Sequence, residues 1–157
     1  MFKKLLGKNR TTLTACCNGT LILLEDVNDD VFSKKLMGDG YAIIPSDGKI
    51  YSPINATVTT IFPTMHAIGL VTENGDEILI HLGLDSVKMD GTPFDLKIAP
   101  NTDVYAGDFI GTMDLKAMEE NNVDPTVLVI VTNLTQDPKY LVEKNTSVTA
   151  KSKIVEI

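Results

Sequence analysis

Apolar residues along the 157-residue chain fall in short, often alternating runs, and Gly, Pro, Asn or Asp interrupts them about every 8 to 12 residues. The pattern predicts strands over residues 19–24, 41–45, 50–52, 56–61, 66–72, 77–82, 103–105, 109–114, 127–131, 147–150 and 153–157. β-branched side chains fill these runs, as half-buried strands prefer. Between them lie Gly38-Asp39-Gly40, Ser46-Asp47-Gly48, Asn74-Gly75, Asp90-Gly91 and Ala106-Gly107-Asp108, all turn signals. Only residues 30–37, closed by Gly38, and residues 114–121 read as helical, and neither is long enough to frame a fold. Strands at this spacing predict an all-β protein, an antiparallel β-sandwich or barrel with one or two short helical turns.

The alternation is clearest across residues 66–82, where two runs flank Glu73-Asn74-Gly75-Asp76. Asn-Gly between alternating strands predicts a hairpin with a two-residue type I′ loop. In that register His66 faces Gly83 and His81 faces Ile68. Opposed residues share a face, as do residues two apart. The only two histidines of the chain thus become diagonal neighbours, with Gly83 leaving room between them. Thr64, two residues before His66, can reach its ring, and Asp85 has the parity of His81. The same register puts Ile68, Leu70 and Leu79 on the histidine face. It leaves Ala67, Gly69, Val71, Ile78, Ile80 and Leu82 for the core.

Composition adds size and charge to this picture. With 43% hydrophobic and 22% charged residues, the chain reads as one globular domain with a full core, which excludes a disordered segment. A net charge of −7 argues against a nucleic-acid binder, which needs a basic face against phosphate. The charge is divided. Residues 1–10 hold Lys3, Lys4, Lys8 and Arg10 and no acid, whereas the remainder holds 10 basic and 21 acidic residues. Residues 1–13 are therefore expected to form a flexible basic leader on a domain spanning residues 14–157. Phe2, Leu5 and Leu6 share a helical stripe with the lysines largely opposite, so residues 1–10 suit peripheral contact with an anionic membrane. No run of 18 apolar residues exists to span one. Cys16 and Cys17 are adjacent and give no disulfide framework, which points to a cytoplasmic location and to inert buried thiols.

Two converging imidazoles leave several chemistries open. They suit phosphoryl transfer, with one ring as nucleophile and the other as electrostatic partner. As zinc ligands they are an incomplete set, because only Asp85 offers a third group, so no intrinsic metal site is expected and zinc would need a ligand from a partner. Val87-Lys88-Met89 resembles the tip of a biotinyl or lipoyl carrier only loosely, and a carrier gives no reason for two histidines.

At these residues the chain resembles the glucose-type enzyme IIA domain of the bacterial phosphoenolpyruvate-dependent sugar phosphotransferase system. The resemblance runs through Asp30-Val31-Phe32, Gly38-Asp39-Gly40-Tyr41-Ala42-Ile43, Ser52-Pro53-Ile54 and Phe62-Pro63-Thr64-Met65-His66-Ala67. Its most specific part is Ile80-His81-Leu82-Gly83-Leu84-Asp85-Ser86-Val87, with serine where the family usually has threonine. It covers residues 14–157. The resemblance implies an antiparallel β-sandwich and a phosphocarrier that needs no cofactor. It implies that His81 takes a phosphoryl group on Nε2 from the phosphocarrier protein HPr and passes it to a cysteine of an enzyme IIB domain, and so to sugar entering through IIC. His66 would be the second active-site histidine and Thr64 its hydrogen-bonding partner. Val31, Phe32, Met37, Phe62, Leu79, Gly83, Asp85 and Val87 would lie at or beside the depression where HPr, IIB and any regulatory proteins dock.

Overall fold

A computed structural model describes residues 10–157, and the first nine residues of the expected leader lie outside it. Strands β1 (Thr12–Thr14), β14 (Lys153–Glu156) and β12 (Lys139–Tyr140) form one antiparallel sheet. Strands β4 (Lys49–Tyr51), β10 (Phe109–Met113) and β8 (Phe94–Leu96) form another. The third has eight strands in the order β13 (Ser147–Val148), β2 (Gly19–Ile22), β3 (Asp39–Pro45), β11 (Asp124–Val131), β7 (Glu77–Leu84), β6 (Ala67–Val71), β5 (Ala56–Ile61) and β9 (Asp103–Val104). Every pairing is antiparallel.

The main core gathers residues from all three sheets, among them Leu13, Tyr41, Ile50, Ile80, Ile110, Val129 and Ile154. On the other face of the large sheet a smaller cluster joins Leu24, Val27 and Phe32 to Ala42, Leu84, Leu128 and Ile130, with Leu79 packed against it. Helix α1 (Asp30–Ser33) supplies Phe32 to this cluster. The carboxylate of Asp29 accepts from the N–H groups of Val31 and Phe32, so α1 is capped at its start. Helix α2 (Leu115–Glu120) is capped in the same way by Asp114.

The last residues of the expected leader are part of the domain. Residues 11–13 belong to the sandwich: Leu13 is fully buried, β1 pairs with β14, and Thr11 exchanges both backbone hydrogen bonds with Ile157. Arg10 is held as well, donating to the carbonyls of Asp137 and Glu156.

The β6–β7 hairpin departs from the expected register. Its loop has three residues, Glu73-Asn74-Gly75, because the N–H of Thr72 bonds the carbonyl of Asp76 and that of Gly75 bonds Thr72. Gly75 takes the left-handed conformation, with φ +87°, as a three-residue loop requires. A buried polar pair fixes this choice over the two-residue turn. The Thr72 hydroxyl donates to the Asp76 carboxylate at 3.0 Å and accepts the Asp76 N–H at 3.0 Å. His81 therefore faces Ala67 and not Ile68, and Ile68 faces Ile80. Ile68 and Leu70 point into the core with Ile78, Ile80 and Leu82, whereas Ala67 and Gly69 share the face of His81 and Leu79. The slip exchanges the faces of β6, as a one-residue shift must.

Candidate active site

Strict alternation from the observed register would put His66 on the core side, yet its ring lies 5.3 Å from that of His81, nearly perpendicular to it. The turn before β6 explains this. Met65 is left-handed at φ +56°, its N–H bonds Phe62, and the Phe62 N–H bonds Ala67. His66 thus belongs to the bend before the strand, where its side chain escapes the two-residue period. The expected meeting of the histidines holds, and the expected reason for it does not.

Each imidazole is oriented by one partner. Nδ1 of His81 lies 2.8 Å from the Gly83 carbonyl, so it carries the proton and leaves the Nε2 lone pair unused. Nδ1 of His66 is hydrogen-bonded to the Thr64 hydroxyl. Two aromatic rings flank the pair, Phe32 at 4.9 Å from His81 and Phe62 at 5.4 Å from His66. Burial lowers the pKa of His66 below its ordinary 6.5. Burial also lowers that of His81, helped by the neighbouring His66 and opposed by the Gly83 hydrogen bond and the charges of Asp29 and Asp85. Both shifts favour the neutral imidazole at pH 7.

Phe62, in ring contact with His66, is exposed, as are three further apolar side chains of the expected depression. Val31, Met37, Phe62 and Val87 are all 41–51% exposed, a high value for side chains of this kind. Phe32 is buried against His81, and Leu79 is half-buried in the same cluster. Asp85 is exposed and left-handed at φ +54°, opening the 3₁₀ turn Ser86–Met89. Gly83 does not serve as a gap between the rings. At φ +82° it supplies its carbonyl to His81, and a Cβ there would lie 2.6 Å from Cε of Met118 on α2. Asp29 is signalled in the sequence only as an Asp one position before an apolar turn, a capping signal. Leu36, 69% exposed next to Met37, carries no such signal.

The arrangement offers one nitrogen with a free lone pair, one adjacent ring able to donate, and two flanking phenylalanine rings. Among the described residues no group of three or more His, Cys, Asp or Glu could hold a metal ion. Cys16 and Cys17 are free and fully buried, apart from the histidines in sequence and fold, and hydrogen bonding to Cys16 together with burial pushes the Cys17 thiol far up. No helix among the described residues is long and apolar enough to cross a membrane.

Comparison with known proteins agrees with this geometry. The family described as phosphoenolpyruvate-dependent sugar phosphotransferase system, EIIA 1, matches residues 11–137. The chain is 34% identical over its whole length to the PTS system glucose-specific EIIA component of Staphylococcus aureus strain COL, covering 98% of that protein. It is 41% identical over 140 residues to the PTS system glucose-specific EIICBA component of Streptococcus pneumoniae, where 89% of the chain spans only 19% of that longer protein. The structure of glucose permease IIA from Mycoplasma capricolum superposes with a TM-score of 0.84 at 32% identity, covering 95% of this chain and 96% of that one. The chain belongs to the EIIA family of the phosphoenolpyruvate-dependent sugar phosphotransferase system, and it is a phosphocarrier component of that system serving sugar uptake.

Proposed function

We propose that His81 is the residue that carries the phosphoryl group, taking it on Nε2 from phospho-HPr and passing it to a cysteine of an enzyme IIB domain, from which it reaches sugar entering through IIC. The observation that carries this reading is the hydrogen bond from His81 Nδ1 to Gly83, which leaves Nε2 as a free lone pair beside the second imidazole. In the acceptance step the donor's P–N bond breaks as a new bond forms between phosphorus and Nε2, and the donor imidazole leaves with the electron pair. His66 supports the step. With the Thr64 hydroxyl donating to its Nδ1, the neutral ring holds a proton on Nε2 and donates it as a hydrogen bond to a phosphoryl oxygen. Val31, Met37, Phe62 and Val87 form the rim on which HPr, IIB and regulatory proteins would dock and from which water would be excluded, slowing hydrolysis of the phosphohistidine. Asp29 and Asp85 add negative charge there for a basic partner.

The same reading places the protein in the cytoplasm, with residues 1–10 making peripheral contact with the membrane that holds the transporter.

Phosphoenolpyruvate, enzyme I and HPr should label the intact chain with acid-labile phosphate, and His81→Ala should abolish the label. His66→Gln should still accept phosphoryl but hand it on at least about tenfold more slowly. Undiminished labelling of His81→Ala would overturn the assignment.

A further inference from the structure

The Gly83 carbonyl sets the tautomer of His81, yet glycine is the residue least able to fix the direction of its own carbonyl. Something outside Gly83 must hold that peptide. Its neighbour Leu82 is tied at both ends. The Leu82 N–H donates to the carbonyl of His66 at 2.7 Å, and the Leu82 carbonyl accepts from the hydroxyl of Ser86. Ser86 is fully buried, and its Cβ lies 3.0 Å from where a Gly83 Cβ would stand. Its hydroxyl closes a loop across two left-handed residues, Gly83 at φ +82° and Asp85 at φ +54°. One residue, Leu82, therefore links the backbone of His66 and the side chain of Ser86 to Gly83, the residue that orients His81.

We propose that Ser86 is a positioning residue for phosphoryl transfer, its hydroxyl holding the Leu82 carbonyl so that Gly83 presents its own carbonyl to Nδ1 of His81. The hydroxyl touches no reacting atom. It acts through the backbone by making Nδ1–H the favoured tautomer, which keeps Nε2 free to attack. Met118 packs beside Ser86 where a Gly83 side chain would project, its Cε 2.6 Å from that position. This inference rests on His81 being the acceptor, but its first readout does not depend on phosphorylation.

The test is proton–nitrogen correlation NMR of the histidine rings in the full-length protein, paired with the rate of labelling by phospho-HPr. Ser86→Ala should shift His81 away from the Nδ1–H tautomer and slow acceptance by about tenfold to a hundredfold, the cost of a displaced reacting group. Ser86→Thr, which keeps the hydroxyl, should restore both. In the unmodified protein the Ser86 hydroxyl proton should exchange slowly with water. That measurement decides the matter even if Ser86→Ala does not fold, because a fast-exchanging hydroxyl overturns the proposal. So does a folded Ser86→Ala protein with the original tautomer and rate, or a Ser86→Thr protein as impaired as Ser86→Ala. If the tautomer follows Ser86 while phosphate appears on another residue, the acceptor assignment fails and the positioning of the ring stands.

Discussion

The role proposed for His81 needs a lone pair at neutral pH, which its burial favours. The depressed pKa also links the site to stability. The unfolded chain binds protons on its histidines near pH 6.5, whereas the folded rings bind them only at lower pH. Between those values the unfolded state holds more protons, so stability rises with pH, is fully present above 6.5 and is lost as pH falls through the folded pKa. NMR titration should give midpoints below 6.5 for both rings, and the rate of acceptance should fall off at a lower pH than an ordinary imidazole would give. Removing the neighbouring imidazole in His66→Gln should move the His81 midpoint upward, since His66 contributes to its lowering. A His81 midpoint at or above 6.5 in the unaltered protein would refute the account.

Among the elements, the β6–β7 hairpin shows what a sequence discloses and what it hides. Asn74-Gly75 correctly marked a tight turn between two strands, and the two histidines were legible as a pair. The loop length was not, because a local turn preference competed with the Thr72–Asp76 hydrogen bonds, which no periodicity reveals. His66 reached His81 through a left-handed Met65, equally invisible to an alternation rule. Strands β1, β8 and β12, only two or three residues long, were not among the predicted ones. The capped helices were found, though α1 stops at Ser33, short of the expected Met37. If the Thr72–Asp76 pair fixes the register, Thr72→Val, close in shape but without the hydroxyl, should cost about 1–3 kcal/mol in urea unfolding. Its His81 should still be labelled by phospho-HPr. A loss under about 0.5 kcal/mol would mean that Gly75 alone sets the loop.

For the whole molecule, the division of charge matters more than its total. The acidic body carries its basic residues unevenly, with Lys3, Lys4 and Lys8 all ahead of the first described residue. Each such residue near an anionic surface is worth about 1 kcal/mol of attraction at moderate salt. Arg10 has other work, holding the Asp137 and Glu156 carbonyls, so the informative deletion is residues 1–9. That deletion should leave the melting temperature and His81 labelling unchanged and reduce co-sedimentation with phosphatidylserine vesicles at low salt. If the full-length chain fails to sediment with such vesicles, membrane contact through this segment is excluded.

The pairing of β1 with β14 also sets an order in time. A ribosome adding about 5–20 residues per second makes Thr12 roughly 7–30 s before its partner Glu156. Throughout that interval the earliest strand of the sandwich waits with an open edge, and such edges recruit stray strands. Its sequence limits the hazard: Thr12-Leu13-Thr14 offers a single apolar side chain between two hydroxyls. The seam that closes last during synthesis is thus a short and mostly polar one.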